Sequence, residues 1–242
     1  MIHAISAEWG KTWSVRSPML CLLSTVLLVV LTAASLANDF VHGIGIGEHP
    51  ADATVPAASN LGPAIQFGLL TFTAFAMMLM TSEYTTGSIR TTFQAEPRRG
   101  VVLASKTLIG LLVGLVMGAV VGALGLAASD LALQGHSAIA SESAVVTVTR
   151  VSGVFALAAV LVVALGAIIR SAVGTLAAGI MLLVGALALP TSVSVWTPAG
   201  GAGQFLEASD EHYPSVVGLV VIAVWAAVAY AVAAWLLRRR DA

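Results

Sequence analysis

Glu83-Tyr84-Thr85-Thr86-Gly87-Ser88-Ile89-Arg90, continued by Thr91-Thr92-Phe93-Gln94-Ala95-Glu96-Pro97-Arg98-Arg99 and reaching Lys106, forms a polar island between two long apolar stretches. It holds four of the eleven Lys and Arg residues in the chain. A segment of this kind, set between stretches long enough to cross a bilayer, reads as a loop held at one membrane face. Working outward from it decides the fold class.

The 242 residues are 58% hydrophobic and 10% charged, with a mean hydropathy of +0.97. Soluble domains carry about 25% charged residues, so the composition is that of an integral membrane protein. A spanning helix needs roughly 20 apolar residues. Six such stretches are expected, at about 19–37, 62–81, 101–128, 151–169, 172–189 and 215–237. With short loops they use the whole length, which predicts a single all-α, polytopic membrane domain over residues 1–242. Any ATPase or ligand-binding domain is then expected on another chain. Cys21 stands alone inside an apolar run and reads as a small packing residue.

Residues 1–17 do not read as a cleaved signal peptide, because Glu8, Lys11 and Arg16 interrupt them and no small-residue cleavage site follows promptly. Ile2, Ile5, Trp9 and Trp13 recur at spacings of three and four, beside Lys11 and Arg16. That is the stripe of a helix lying in the membrane surface. Orientation follows from the basic residues. One side of the six-span layout carries Lys11, Arg16, Arg90, Arg98, Arg99, Lys106, Arg170, Arg238, Arg239 and Arg240, and the other carries only Arg150. Both termini and the polar island are therefore expected in the cytoplasm. Arg238 to Arg240 reads as a topology anchor against the inner leaflet.

Within the third span Gly110, Gly114, Gly118 and Gly122 recur every four residues, with Gly125 beyond. Such a track lets another helix approach closely. It serves either packing inside one chain or a surface for a second subunit. No Asp, Glu, Lys or Arg is expected deep in a span, which argues against a proton-driven carrier. Phe67, Phe72, Phe75, Met77 and Met78 make the second span aromatic and Met-rich; they read either as packing or as a pliable apolar path for a substrate.

Catalytic and metal motifs are not apparent. Gly10-Lys11-Thr12 matches the end of a phosphate-binding loop, but Ile5 stands where that loop needs glycine and no strand precedes it. The outer-loop histidines, His42, His49, His136 and His212, lack metal-ligand spacing. No partner arrangement for nucleophilic catalysis accompanies the serines. The polar island is the feature that calls for a function. Glu83, Tyr84, Thr85, Ile89, Arg90 and Phe93 are expected to form a short amphipathic helix, broken near Gly87 and ended before Pro97, fit to seat in a groove of a partner.

Glu83-Tyr84-x-x-Gly87-Ser88-Ile89-Arg90, followed by Pro97-Arg98-Arg99 and Lys106, resembles the E-[YF]-x-x-G-[TS]-[IL]-[RK] … P-x-[RS] … K pattern of type-2 permeases of the ATP-binding-cassette exporter family, especially their short actinobacterial-like kind. Ala7-Glu8-Trp9-x-Lys11, with Arg16-Ser17-Pro18, is similar to the interfacial elbow that opens such chains. The six-span layout and the tight turn at Arg170-Ser171 extend the likeness over essentially the whole chain; the first outer loop is longer and more acidic than in the barest members. The resemblance implies that residues 83–99 are a coupling helix docking on a cytosolic ATPase, with Glu83, Tyr84, Gly87, Ile89, Arg90, Phe93, Arg98 and Arg99 as its contacts. It implies an elbow centred on Glu8, Trp9 and Lys11. Two permease chains, as homo- or heterodimer, would join two ATPase subunits in a bacterial plasma membrane. The ATPases would hold ATP and Mg; this chain would hold no cofactor, do no enzymatic step and bind no nucleic acid. It also implies short membrane-dipping helices within 190–214. The exported compound would be hydrophobic or amphipathic: a drug, antibiotic, peptide or lipid. A stand-alone transporter or channel, and a membrane anchor or sensor recruiting a cytosolic partner through the same island, are the competing readings.

Overall fold

The computed structural model describes residues 2–96, 98–139 and 142–239. They form ten α-helices with two 3-10 turns and no named strand. In chain order these are α1 (Ile2–Trp13), α2 (Arg16–Gly45), α3 (Leu61–Thr86), α4 (Ile89–Ala95), α5 (Arg99–Ala132), α6 (Ala144–Ile169), α7 (Ala172–Leu183), α8 (Thr191–Ser194), α9 (Pro198–Leu206) and α10 (Ser215–Arg239). Arg240, part of the expected C-terminal anchor, lies outside the described residues, as does Pro97.

Five helices, α2, α3, α5, α6 and α10, are long and apolar enough to cross a membrane, which fits a multi-pass membrane protein. The fifth expected span, 172–189, takes a different form. It is the 12-residue α7, followed after Val184 by a 3-10 turn over Gly185–Ala188. At 1.5 Å per residue α7 is only about 18 Å long, against a hydrocarbon thickness of about 30 Å. The break falls at Val184, whose φ of −134° and ψ of −53° leave the helical region. Hydropathy alone does not register such a break.

The long helices exceed their expected bounds. α2 continues past 37 to Gly45, and α6 begins at Ala144, so Arg150 lies within a helix. The connections after α2 and after α5 touch: Val55 N donates to His136 O and Ala138 N donates to Val55 O, both at 3.0 Å.

The outer surface is apolar, unlike that of a soluble bundle. Leu20, Leu23, Leu27 and Leu31 of α2, and Val216, Val220, Val224 and Val228 of α10, are more than half exposed. These stripes at helical spacing suit contact with lipid tails. The interior is built on α3 and α6, with Phe72, Phe75, Phe155, Leu69 and Leu161 fully buried. Phe72 packs against Phe155 at 4.7 Å and Phe75 at 5.7 Å between ring centroids. α5 lies along α6 through its glycine track. A Cβ on Gly114 would stand 2.8 Å from Ala156 Cα, and one on Gly118 would stand 2.8 Å from Ser152 N. Gly110 faces Leu79 and Ala159, and Gly122 faces Val148 and Val151. All four glycines thus meet neighbours in this same chain.

The connection from α7 to α10 is pinned by side chains. Tyr213 Oη donates to Val195 O at 2.6 Å, and Trp225 Nε1 donates to Trp196 O at 2.9 Å. Arg150 donates to Phe205 O at 2.7 Å and pairs with Glu142. Pro198 opens α9 behind the Thr197 cap, whose Oγ1 accepts from Gly200 N.

Candidate functional site

At the end of the bundle where α1, α3, α4 and α5 meet, four charged side chains form one network. Lys11 Nζ donates to Glu8 Oε1 at 2.6 Å and to Glu83 Oε1 at 2.9 Å. Lys106 Nζ donates to Glu8 Oε2 at 2.5 Å and to Glu83 Oε1 at 3.0 Å. Lys11 also reaches Thr92 Oγ1 on α4 at 3.4 Å. Glu8, Glu83 and Lys106 are buried, Lys106 being 2% exposed, while the Lys11 side chain is 48% exposed. Two cations and two anions cancel, so the network carries no net charge into the protein.

Each helix delivers its residue for a local reason. In α1, Glu8 and Lys11 stand three apart and so share a face. The buried side of α1 is Glu8 and Thr12, whereas Trp9 is 46% exposed and stacks edge-on against Trp13 at 5.4 Å. α1 thus turns its polar side to the protein and a tryptophan outward. Glu83 is one turn from the end of α3. Lys106 lies two turns into α5, on the flank that meets α1 and α3. It stands near the end of that helix and not deep in it, and two carboxylates neutralise the buried ammonium away from water.

The expected coupling segment is divided among three helices. Glu83 and Tyr84 belong to α3, which runs to Thr86 and not to 81. Gly87 ends it with φ of 74°, the left-handed conformation that glycine adopts without a Cβ penalty. α4 then holds only seven residues. Ile89 is buried at 5% exposure, and Thr91 and Gln94 face outward. The side chains of Arg90 and Phe93 lie outside the described residues. Tyr84 turns to the α6–α7 turn, where the Arg170 guanidinium stands 5.5 Å over its ring. Arg98 and Arg99 lie at the start of α5, and Arg99 Nη1 donates to Leu237 O at 3.2 Å.

A cavity of about 520 Å³ opens between α1, α3 and α4. All four charged residues line it, together with Val15, Met78, Ser82, Thr86 and Thr92. The five residues that read either as packing or as a path are dispersed. Phe72 and Phe75 are sealed in the core, Met77 is 9% exposed, Phe67 faces outward at 51%, and Met78 reaches the cavity. A hydropathy pattern cannot tell inward packing from a lumen, and here packing takes the two central rings. The contact missed in the sequence is Thr92 to Lys11; nothing in a Thr-Thr pair distinguishes it.

Partial burial pushes the Lys11 ammonium down, but the carboxylates of Glu8 and Glu83 outweigh this and hold it above the usual 10.5. A folded-state pKa above the unfolded value stabilises fully below the unfolded pKa, and the benefit is lost as pH rises through the folded one. The thermal midpoint of the purified protein is therefore expected to owe no slope to Lys11 between about pH 6 and 9, and to fall above 10.5. Lys11→Gln should lack the Lys11 part of that alkaline fall. An unchanged alkaline limb in the variant would count against the pairing. Being half exposed, the Lys11 bonds should also weaken in high salt.

Comparisons with protein-family models, with curated proteins and with solved structures find no match for this chain. Its functional reading rests on its own residues.

Proposed function

We propose that the chain is the membrane-spanning permease subunit of an ATP-binding-cassette exporter, driven by a separate cytosolic ATPase. The observation that carries this reading is the bracing of α4. This short helix hangs between two long spans, presents Thr91 and Gln94 outward, and is tied through Thr92 and Lys11 to a buried ion network that joins α1, α3 and α5. A push on α4 would be transmitted to three helices at once. The order of residues from Glu83 to Lys106, and the Glu8-Trp9-x-Lys11 opening, support the same assignment.

In this reading α1 is the interfacial elbow and α4 the docking part of the coupling segment. α7 with its 3-10 turn makes the remaining, broken crossing, and α8 and α9 dip into the outer side of the membrane. Two such chains and two ATPases assemble in the plasma membrane with both termini inside. ATP and Mg belong to the partner, and the cargo is a hydrophobic or amphipathic compound.

Glu83 is a poor handle for testing this, since removing it opens a buried ion network. Gln94→Arg and Thr91→Arg alter exposed positions of α4, Thr91 standing at the edge of the cavity. The tagged chain, recovered from native membranes in mild detergent, is expected to bring down a cytosolic ATPase. Either variant should reduce that recovery about tenfold with the thermal midpoint unchanged, as removal of one central contact does at a small interface. Recovery of no ATPase even after crosslinking would overturn the reading.

A further inference from the structure

A second feature lies at the same end of the bundle, where the first turn of α5 meets the last turn of α10. Arg98, Arg99, Gly100, Val101, Leu237 and Arg238 line an open groove of about 510 Å³. We propose that this groove binds the phosphodiester of an anionic phospholipid.

Three guanidinium groups come to it from two helices, and among the described residues no acidic one lines it. Arg98 and Arg238 are exposed and make no ion pair among the described residues. Arg99 acts differently: its bond to the Leu237 carbonyl fastens the two helix ends together and satisfies a C-terminal carbonyl of α10. At the opposite pole, α5 begins without a side-chain cap, since Arg98 at that position offers no acceptor. The Glu96 carboxylate already accepts from Arg98 N at 3.2 Å at that helix start, so the charge of the groove rests on the arginines.

The depth of the groove selects a lipid over a soluble protein. Trp235 is 51% exposed, and the Arg239 guanidinium lies 4.4 Å over its ring. An outward tryptophan roofed by an arginine marks the level of the headgroups. The groove begins two residues further along α10, within the headgroup layer. Val101 and Leu237 give it apolar lining suited to a glycerol backbone, and the arginines supply charge that a zwitterionic headgroup would partly cancel with its own ammonium. Arginine is the residue best shaped to hold two phosphate oxygens together.

The test uses the full chain purified in mild detergent, with no ATPase present, so it is independent of the exporter reading. Dioleoylphosphatidylglycerol, dioleoylphosphatidylcholine and inorganic phosphate are titrated separately, and bound ligand is counted by native mass spectrometry. The wild type should retain phosphatidylglycerol about tenfold over phosphatidylcholine. Arg98→Gln with Arg238→Gln should lower that retention by about 25-fold, at roughly fivefold per arginine. Arg16→Gln, an exposed cation on α2, should leave it unchanged. Both altered arginines are exposed, so the lipid-free thermal midpoint should match the wild type. Equal retention of the two lipids, or equal loss in the Arg16 variant, would overturn the site. Inorganic phosphate retained as well as phosphatidylglycerol, and lost in the same double variant, would reassign it to a free anion. Unchanged phosphatidylglycerol retention in the double arginine variant would also overturn it.

Discussion

Lys106→Met is expected to cost about 3–5 kcal/mol, the range for removing one partner from a buried ion network. The ammonium at 106 touches both carboxylates and is 2% exposed. Without it Glu8 and Glu83 share only Lys11, which is half in water. Methionine fills much the same volume, so the loss is electrostatic and not a cavity. In detergent the thermal midpoint should drop on the order of 10 °C, taking about 2–4 °C per kcal/mol for a chain of this size. Adding Glu83→Gln restores one anion to one cation and should recover part of the loss. Residues in a single network couple by about 0.5–3 kcal/mol. A double variant as unstable as the sum of the singles would mean that the four groups do not act together.

Gly118→Ala is the second large effect. Its new methyl would meet the Ser152 Cα, with Ser152 N and Val151 O both at 2.8 Å. These are backbone atoms of α6, so no rotamer change relieves the contact and the two helices must part. Overpacking costs about 1–3 kcal/mol, occasionally more, where neighbours can shift; a backbone wall puts this site at the upper end. Gly114→Ala meets Phe155 O at 2.7 Å and should behave alike. Gly203→Ala, on α9 with nothing within 4 Å, is the control. It should gain about 0.4–1 kcal/mol, because alanine restricts the unfolded chain. If Gly118→Ala and Gly203→Ala shift the thermal midpoint equally, the close approach of α5 to α6 is wrong.

Much of the fold was legible because hydrocarbon imposes a simple demand. Every backbone group must be paired within its helix, and every outward side chain must be apolar. Long runs such as that of α5 announce themselves on those grounds. Helix ends were less legible. Asn38 and Asp39 mark a polar boundary but not a backbone stop, and α2 continues through them to Gly45. The break after Leu183 is a matter of dihedral angles in an apolar stretch, where composition is silent.

The charged network was legible in its members and not in its pairing. Glu8, Lys11 and Glu83 each stand out as charges beside apolar segments, and Lys106 closes the polar island. That they converge is a fact of tertiary structure, spanning 72 residues from Lys11 to Glu83 and 98 from Glu8 to Lys106. The aromatic residues of α3 show a choice that the sequence leaves open. Phe72 and Phe75 suggested a path because large, soft side chains suit both lumens and cores, and only their neighbours decide.

The wide spacing of the network also sets a timetable for biosynthesis. A ribosome adds roughly 5–20 residues per second, so Glu8 precedes its buried cation by about 5–20 s. During that interval Glu8 is not left alone, because Lys11 follows it by three residues on the same helix. Glu83 emerges next, and Lys106 completes the set 23 residues later. The half-exposed lysine thus serves as the early, provisional counterion, and the buried one as the lock that closes when the third long helix arrives.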